Sequence, residues 1–278
     1  MSFPSIALPP VAFIGGGNMA RALIGGMVRG GAAARDIHVS EPYAPNREGL
    51  AAEFGISTTE DNAAAASKAT VWVLATKPQV LRDVCEALAP LAQAQRPLVV
   101  SIAAGITSSQ LDCWLGGGIA VVRTMPNTPA LLGAGVTGLY ATAAASAAQK
   151  ALADALLKPA GETVWIDDEA LMDAVTAASG SGPAYVFLLA EAMQAAAEAE
   201  GLPTDAARTL VVETIAGQKP HINYDAIPAT TLRQRVTSPN GTTQAALDAF
   251  AAGGFTPLVA AAVHAARKRG AELSAAKD

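Results

Sequence analysis

Near its C-terminus the chain places Val236-Thr237-Ser238-Pro239-Asn240-Gly241-Thr242-Thr243 ahead of a helix-forming run, Gln244-Ala245-Ala246-Leu247-Asp248-Ala249-Phe250. Pro239 fixes φ, and Asn240 and Gly241 tolerate positive φ, so the middle of this stretch reads as a turn. Hydroxyl side chains crowd around it, and the N–H groups that open a helix have no partner within that helix. Together they suit a small anion such as a carboxylate. The simpler reading of the same residues is a helix whose own hydroxyls cap its first turn.

A second constellation lies at the other end. Gly15-Gly16-Gly17-Asn18-Met19-Ala20 fits G-x-G-x-x-A and directly follows the apolar run Val11-Ala12-Phe13-Ile14. In such a loop Gly15 makes the tight turn, Gly17 lets the backbone approach a pyrophosphate, and Ala20 permits close helix–strand packing. The pyrophosphate would rest on the N–H groups opening the next helix. The second apolar run leads into Ser40-Glu41, near where an acidic residue meets the ribose 2′-OH of NAD. Glu41 would repel a 2′-phosphate, whereas Ser40 and Arg47 could accept one, so NADH and NADPH both stay open. The alternative is that Glu41 points to solvent ahead of Pro42. Ala75-Thr76-Lys77-Pro78 and Ser101-Ile102-Ala103-Ala104-Gly105 close two further runs. Ligands of open α/β sheets bind outside the carboxyl ends of the strands, which would bring Lys77 to a cofactor ribose or phosphate. At the same rim the two prolines of Met125-Pro126-Asn127-Thr128-Pro129 make a rigid loop.

These groups need elements to hold them. Val11-Ala12-Phe13-Ile14, Ile37-His38-Val39, Val71-Trp72-Val73-Leu74, Leu98-Val99-Val100 and Ile119-Ala120-Val121-Val122 are short continuous apolar runs. Runs of that kind suit strands buried on both faces of a parallel sheet. Amphipathic segments such as residues 47–54 and 80–91 lie between them. The alternation means βαβ units in a doubly wound, mostly parallel sheet, completed by strands near residues 135–140 and 163–166. After Asp167 the strand signal stops. Helices are expected at about 184–200, 204–217, 242–252 and 255–274. The first two turns of the 184–200 helix are apolar all round, which implies burial in a helix bundle or a subunit interface. The expected division is a dinucleotide-binding domain over residues 1–166 and a helical domain over 167–278.

Composition excludes several classes. Of 278 residues, 51% are hydrophobic, 15% charged and only 5% aromatic, so the apolar content is mostly Ala, Val and Leu. So low a charged fraction implies surface covered by a partner subunit. A net charge of −5 without a long basic block argues against nucleic acid. Arg267-Lys268-Arg269 reads as favourable charge in a last helical turn. Cys85 and Cys113 make no disulfide framework, and His38, His221 and His264 have no metal-ligand spacing. The N-terminus lacks a basic region and is broken by prolines, unlike a signal peptide, and no apolar run is long enough for a membrane span. A soluble cytoplasmic protein is the expectation.

Several blocks, in order, resemble the pyrroline-5-carboxylate reductase family. They are Phe13-Ile14-Gly15-Gly16-Gly17-Asn18-Met19-Ala20, Leu74-Ala75-Thr76-Lys77-Pro78-Gln79, Arg123-Thr124-Met125-Pro126-Asn127-Thr128-Pro129, Ser179-Gly180-Ser181-Gly182-Pro183-Ala184-Tyr185 and the turn at residues 236–243. The resemblance covers residues 10–274. The last two blocks are its specific part, since many dehydrogenases share the glycine loop.

The resemblance implies a Rossmann-type domain followed by an all-helical dimerisation domain, in a homodimer or higher homo-oligomer with its substrate site at the subunit interface. It implies cofactor contacts at Ile14, Gly15, Gly16, Gly17, Asn18, Met19, Ser40, Glu41, Asn62, Ala75, Lys77, Pro78, Ala103 and Ala104. Substrate contacts fall on Glu169, Ser238, Gly241, Thr242 and Thr243. Two departures stand out. Asn240 replaces the family's usual Gly, and residues 217–228 break a regular apolar helix, with Pro220 removing a helix hydrogen bond.

The implied reaction is hydride transfer from NADPH or NADH to the C=N bond of 1-pyrroline-5-carboxylate, giving L-proline in the last step of proline biosynthesis. The imine nitrogen can bring its own proton, so no His or carboxylate dyad is required. Thr243 is the expected catalytic contact, a hydrogen bond to the ring nitrogen, if it does not merely cap the next helix. A β-hydroxyacid dehydrogenase would need a lysine early in the first helix of its second domain, and residues 179–194 contain none. A sensor that binds the dinucleotide without turnover would have no use for the substrate turn.

Overall fold

The computed structural model describes residues 8–224 and 227–275. Eight strands form one sheet: β1 (Val11–Ile14), β2 (Ile37–Ser40), β3 (Ser57–Thr59), β4 (Val71–Leu74), β5 (Leu98–Ser101), β6 (Ala120–Met125), β7 (Gly135–Ala141) and β8 (Gly161–Trp165). Their order is β3-β2-β1-β4-β5-β6-β7-β8. All pairings are parallel except that of β6 with β7. The chain starts in the middle, winds outward to β3, then crosses to β4 on the other side of β1. That reversal opens a crevice at the carboxyl ends of β1 and β4, where open α/β sheets hold ligands.

Side-chain alternation explains why β1 and β4 carry no polar residue. Val11 and Phe13 pack on one face with Leu23, Ile24 and Met27, whereas Ala12 and Ile14 pack on the other with Trp72, Leu74 and Leu81. Both faces are covered by helices, so each position of β1, β4 and β5 is buried. The Trp72 indole is fully buried and donates to the carbonyls of Ala66 and Ala69 at 3.0 and 3.2 Å. The strand β3 escaped the sequence reading because Ser57-Thr58-Thr59 has no apolar run; it is edge pairing, not burial, that makes it a strand.

The described residues divide into two compact units, one reaching Ser181 and resuming at Ala266, the other Gly182–Ala265. The first holds the sheet with α1 (Asn18–Arg29), α2 (Ala44–Phe54), α3 (Asn62–Ala66), α4 (Leu81–Gln95), α5 (Ser108–Trp114), α6 (Ala147–Leu157) and α7 (Met172–Val175). A single π-helical turn, Thr176–Gly180, follows α7. The second unit consists of α8 (Gly182–Ala199), α9 (Thr204–Tyr224), α10 (Ala229–Arg235), α11 (Thr242–Ala252) and most of α12 (Phe255–Ala275). Within it only Ala207 and Val211 are buried hydrophobics among the described residues.

Two expectations need correction. The helix expected to end near 217 continues through Pro220 to Tyr224. One proline removes one hydrogen bond and strains one turn, and a long helix tolerates that when its other bonds remain; Asp225 lies outside the described residues. Arg267-Lys268-Arg269 is not in a last turn, because α12 runs on to Ala275; there Arg269 meets Glu272 at 2.9 Å. The apolar start of α8 is not covered by its own chain: Phe187 and Leu188 are 68% and 66% exposed. The short α10 carries too few residues for a periodic signal.

Candidate functional site

The glycine loop leaves β1 where its geometry demands glycine. Gly15 has φ +104, and a Cβ there would meet the Ala75 carbonyl oxygen at 2.7 Å. Around Gly17 a Cβ would find nothing within 4 Å, so this stretch of backbone faces open space. Gly17 is also the N-cap of α1 and no side chain caps that end. A tight turn, an open approach and uncapped helix N–H groups are what a pyrophosphate needs, so the residues fit a dinucleotide. The Thr76 hydroxyl oxygen, at the end of β4, is buried with no hydrogen-bond partner among the described residues. It is a polar group in this crevice that the sequence reading passed over, between Ala75 and Lys77; its place inside a strand-end motif was the available signal.

At the end of β2 the side chains sort themselves. Glu41 is only 8% exposed, so it does not point to solvent. Its carboxylate accepts from the Gly16 and Tyr43 N–H groups, each at 2.9 Å. Ser40 is fully buried and donates to Asn62 Oδ1 at 2.7 Å. Asn62 opens α3, behind its N-cap Asp61. Arg47 Nη1 donates to the Glu41 and Pro42 carbonyls at 2.8 and 3.0 Å. The structure thus gathers Ile14, Gly15, Gly16, Ser40, Glu41 and Asn62 through hydrogen bonds and packing, with Ala75 against the loop. Asn18 and Met19 open α1. Lys77 is exposed just beyond β4, beside Pro78. In the loop after β5, Ala103 is buried and Ala104 is exposed.

Glu169 sits in a charged cluster of the same unit. Its carboxylate accepts from the Ser108 backbone N–H at 2.7 Å, from the Ser108 hydroxyl, and from Arg123 Nη1 at 3.1 Å. Arg123 is 5% exposed and also lies 3.6 Å from Asp173 Oδ1. Two sequence blocks meet nearby: Asn127 Oδ1 accepts from the Val136 N–H, while its Nδ2 donates to the Ser179 carbonyl at 3.2 Å. The Ser179-Gly180 block forms the end of the π-helical turn, a distortion often found at functional sites.

The turn at residues 236–243 belongs to the helical unit. Asn240 takes the left-handed conformation, φ 59, which its short side chain tolerates in place of glycine. The Gly241 N–H closes the turn on the Ser238 carbonyl at 3.0 Å. The N-cap of α11 is Gly241, and no side-chain hydrogen bond closes that helix end. Thr237 donates back to the Arg233 carbonyl instead. Hence the hydroxyls do not cap their own helix, and Ser238, Thr242 and Thr243 are exposed in the protomer. The same turn therefore offers hydroxyls beside an uncapped helix start, which suits a carboxylate.

Among the described residues no group of His, Cys, Asp and Glu could hold a metal ion. No single described helix is long and apolar enough to cross a membrane; α11 and α12 together would be, but they are bent by 53°.

Comparison with known proteins bears on both regions. Residues 169–273 match the family model described as pyrroline-5-carboxylate reductase dimerisation. Residues 10–105 match the model described as NADP oxidoreductase, coenzyme F420-dependent. A pyrroline-5-carboxylate reductase of Pseudomonas aeruginosa is 50% identical over 97% of this chain and 98% of its own. The structure of a pyrroline-5-carboxylate reductase from Coxiella burnetii superposes with a TM-score of 0.92 at 38% identity, over 96% of this chain and 98% of that one. That of the Plasmodium falciparum pyrroline carboxylate reductase, with NADP bound, gives 0.86 at 25% identity, over 97% of this chain and 100% of that one.

Proposed function

The chain belongs to the pyrroline-5-carboxylate reductase family, and from that premise we propose how its own residues carry out reduction of 1-pyrroline-5-carboxylate to L-proline. It is an NAD(P)H-dependent oxidoreductase acting on a C=N bond. Bound NAD(P)H would supply the hydride, which adds to the C=N carbon of the cyclic imine, the carbon that becomes C5 of proline. The imine nitrogen enters protonated, so the C=N π pair becomes the nitrogen lone pair and the products are L-proline and the oxidised cofactor.

The residues of the glycine loop, with Asn18, Met19, Asn62, Ala75, Lys77, Pro78, Ala103 and Ala104, hold the dinucleotide. Ser238, Gly241 and Thr242 hold the substrate carboxylate with hydroxyl and N–H donors. Thr243 hydrogen-bonds the ring nitrogen and fixes the face presented to hydride. Three hydrogen bonds occupy most of the acceptor sites of Glu169, leaving one lone pair for the cationic ring. The dinucleotide domain takes residues 1–166 and the substrate and dimerisation domain residues 167–278. A second copy of the chain covers the exposed helical surface, and the homodimer, or a larger assembly of it, works in the cytoplasm.

The observation that carries this reading is the turn before α11, where Asn240 shapes the backbone and Gly241 leaves the helix start uncapped. The test is a spectrophotometric assay with pyrroline-5-carboxylate and each reduced cofactor. Substrate-dependent loss of absorbance is expected, and none with either cofactor sinks the proposal. Thr243→Ala should lower kcat by roughly 10–100-fold with little change in cofactor affinity, as loss of a positioned hydrogen bond would. Unchanged kinetics would remove Thr243 from the mechanism.

A further inference from the structure

The choice between the two nicotinamide cofactors is written in three side chains at the end of β2. We infer that Glu41 makes this enzyme select NADH over NADPH. The inference rests on the dinucleotide-binding reading above and adds which dinucleotide is taken.

Three residues there could decide the matter. A 2′-phosphate brings close to two negative charges and wants donors, whereas a free ribose 2′-OH wants an acceptor. Ser40, the first possible donor, is fully buried and its hydroxyl is spent on Asn62 Oδ1 at 2.7 Å. Arg47, the second, has Nη1 held by the Glu41 and Pro42 carbonyls and Nη2 4.0 Å from the Glu60 carboxylate. The third residue is an acceptor. Glu41 cannot swing away, because the Gly16 and Tyr43 N–H groups each hold one of its oxygens at 2.9 Å. Packing fixes it further: a Cβ on Gly16 would touch Glu41 Cβ at 3.0 Å and Cγ at 3.2 Å.

The carboxylate is thus locked against the glycine loop, at the strand end where the adenosine ribose of a dinucleotide lies. Each of its oxygens keeps a lone pair after those two bonds, enough to accept from ribose hydroxyls. For a 2′-phosphate the same oxygens are a fixed like charge, while the Arg47 guanidinium is engaged by the Glu41 and Pro42 carbonyls. Burial makes that repulsion stronger than it would be in water.

Two measurements on the full-length enzyme test this. The first is kcat/KM for NADH and NADPH in the wild type, Glu41→Ser and Glu41→Gln. The wild type should favour NADH by about tenfold or more, the size expected for one uncompensated charge near a phosphate. Glu41→Ser should bring the ratio to within about threefold, chiefly by lowering KM for NADPH. Glu41→Gln keeps the shape, loses the charge and should fall between. The second, independent of turnover, is calorimetric titration with AMP and with adenosine 2′,5′-bisphosphate. Wild type should bind AMP tighter, and Glu41→Ser should erase the difference. A wild type that prefers NADPH or the bisphosphate overturns the inference, as does an unchanged ratio in both folded variants. Discrimination between the two nucleotides without turnover of either cofactor would support Glu41 as the selector and overturn the reductase reading alone.

Discussion

The α/β unit and the helical unit bury their apolar residues in opposite ways. In the first, Phe13, Ile14, Leu23, Trp72 and Leu74 are sealed between sheet and helices of the same chain. In the second, Phe187, Leu188, Leu210 and Leu258 stand out from the surface, and Ala207 and Val211 are its only fully enclosed hydrophobics among the described residues. Phe250 and Phe255 at least meet edge to face, with ring centroids 5.1 Å apart. An exposed apolar surface of that kind is unfinished, because water penalises it until something covers it. One unit is thus a complete fold with a crevice at its strand ends, while the other leaves an apolar surface open and carries the hydroxyl-rich turn before α11.

The largest effect should come from attacking that surface, the proposed subunit interface. Phe187→Asp combined with Leu188→Asp forfeits about 1.5–3 kcal/mol of apolar burial per side chain and buries two charges. Light scattering should show a monomer, and reductase activity should fall by about 100-fold or more, while AMP binding to the α/β unit survives. A variant that stays oligomeric and active would mean that this helical face is not the interface.

The next effect attacks the unit with the finished core. Arg123 is buried against Glu169 and Asp173, at 3.1 and 3.6 Å. Arg123→Ala strands two carboxylates that are mostly shielded from water, at a cost of about 3–5 kcal/mol. Chemical denaturation should register that loss in the α/β transition. A loss below about 1 kcal/mol would show the cluster to be solvated in solution.

A smaller effect concerns pH. Desolvation, assisted by the positive charge of Lys68 and opposed by Asp36, lowers the His38 pKa below the ordinary 6.5. The folded state therefore disfavours protonation. Its contribution to stability is intact above 6.5 and is lost as pH falls from there towards the lowered value. Melting temperature should drop modestly between about pH 7.5 and pH 5.5, and His38→Phe should flatten that portion of the profile. A wild-type profile that is flat over this range would dismiss the effect.

The smallest perturbation is a thiol probe, which reads burial without disturbing function. Burial pushes the Cys85 thiol up to about 12, whereas Cys113 is exposed. A thiol reagent should label Cys113 in the native protein and Cys85 only after unfolding. Rapid native labelling of Cys85 would contradict the sealed core of the α/β unit.

The two regions were also unequally legible in the sequence. Continuous runs such as Val71-Trp72-Val73-Leu74 announce strands covered on both faces, because no polar residue survives there. The glycine loop could be read because Gly15 answers a backbone demand that other residues meet badly, while Gly17 keeps the approach to the helix start open. Short elements that depend on partners, β3 and α10, left no such signal. Pro220 misled, since local propensity assigns a break where the helix as a whole persists. The apolar start of α8 was legible as a surface needing cover, but not that its own chain leaves it open.

What the amino-acid order determined by itself was the βαβ alternation, the glycine loop, the hydroxyl-rich turn and the family they resemble. Each is written within a few neighbouring residues, where φ preferences and side-chain period act directly. Only tertiary structure decided the fate of side chains distant in sequence. It locked Glu41 to Gly16, turned Ser40 inward to Asn62, and fastened Glu169 to Ser108 and Arg123. Hydrogen bonds of that reach depend on where the strand ends come together, and that position follows from the packing of the whole sheet.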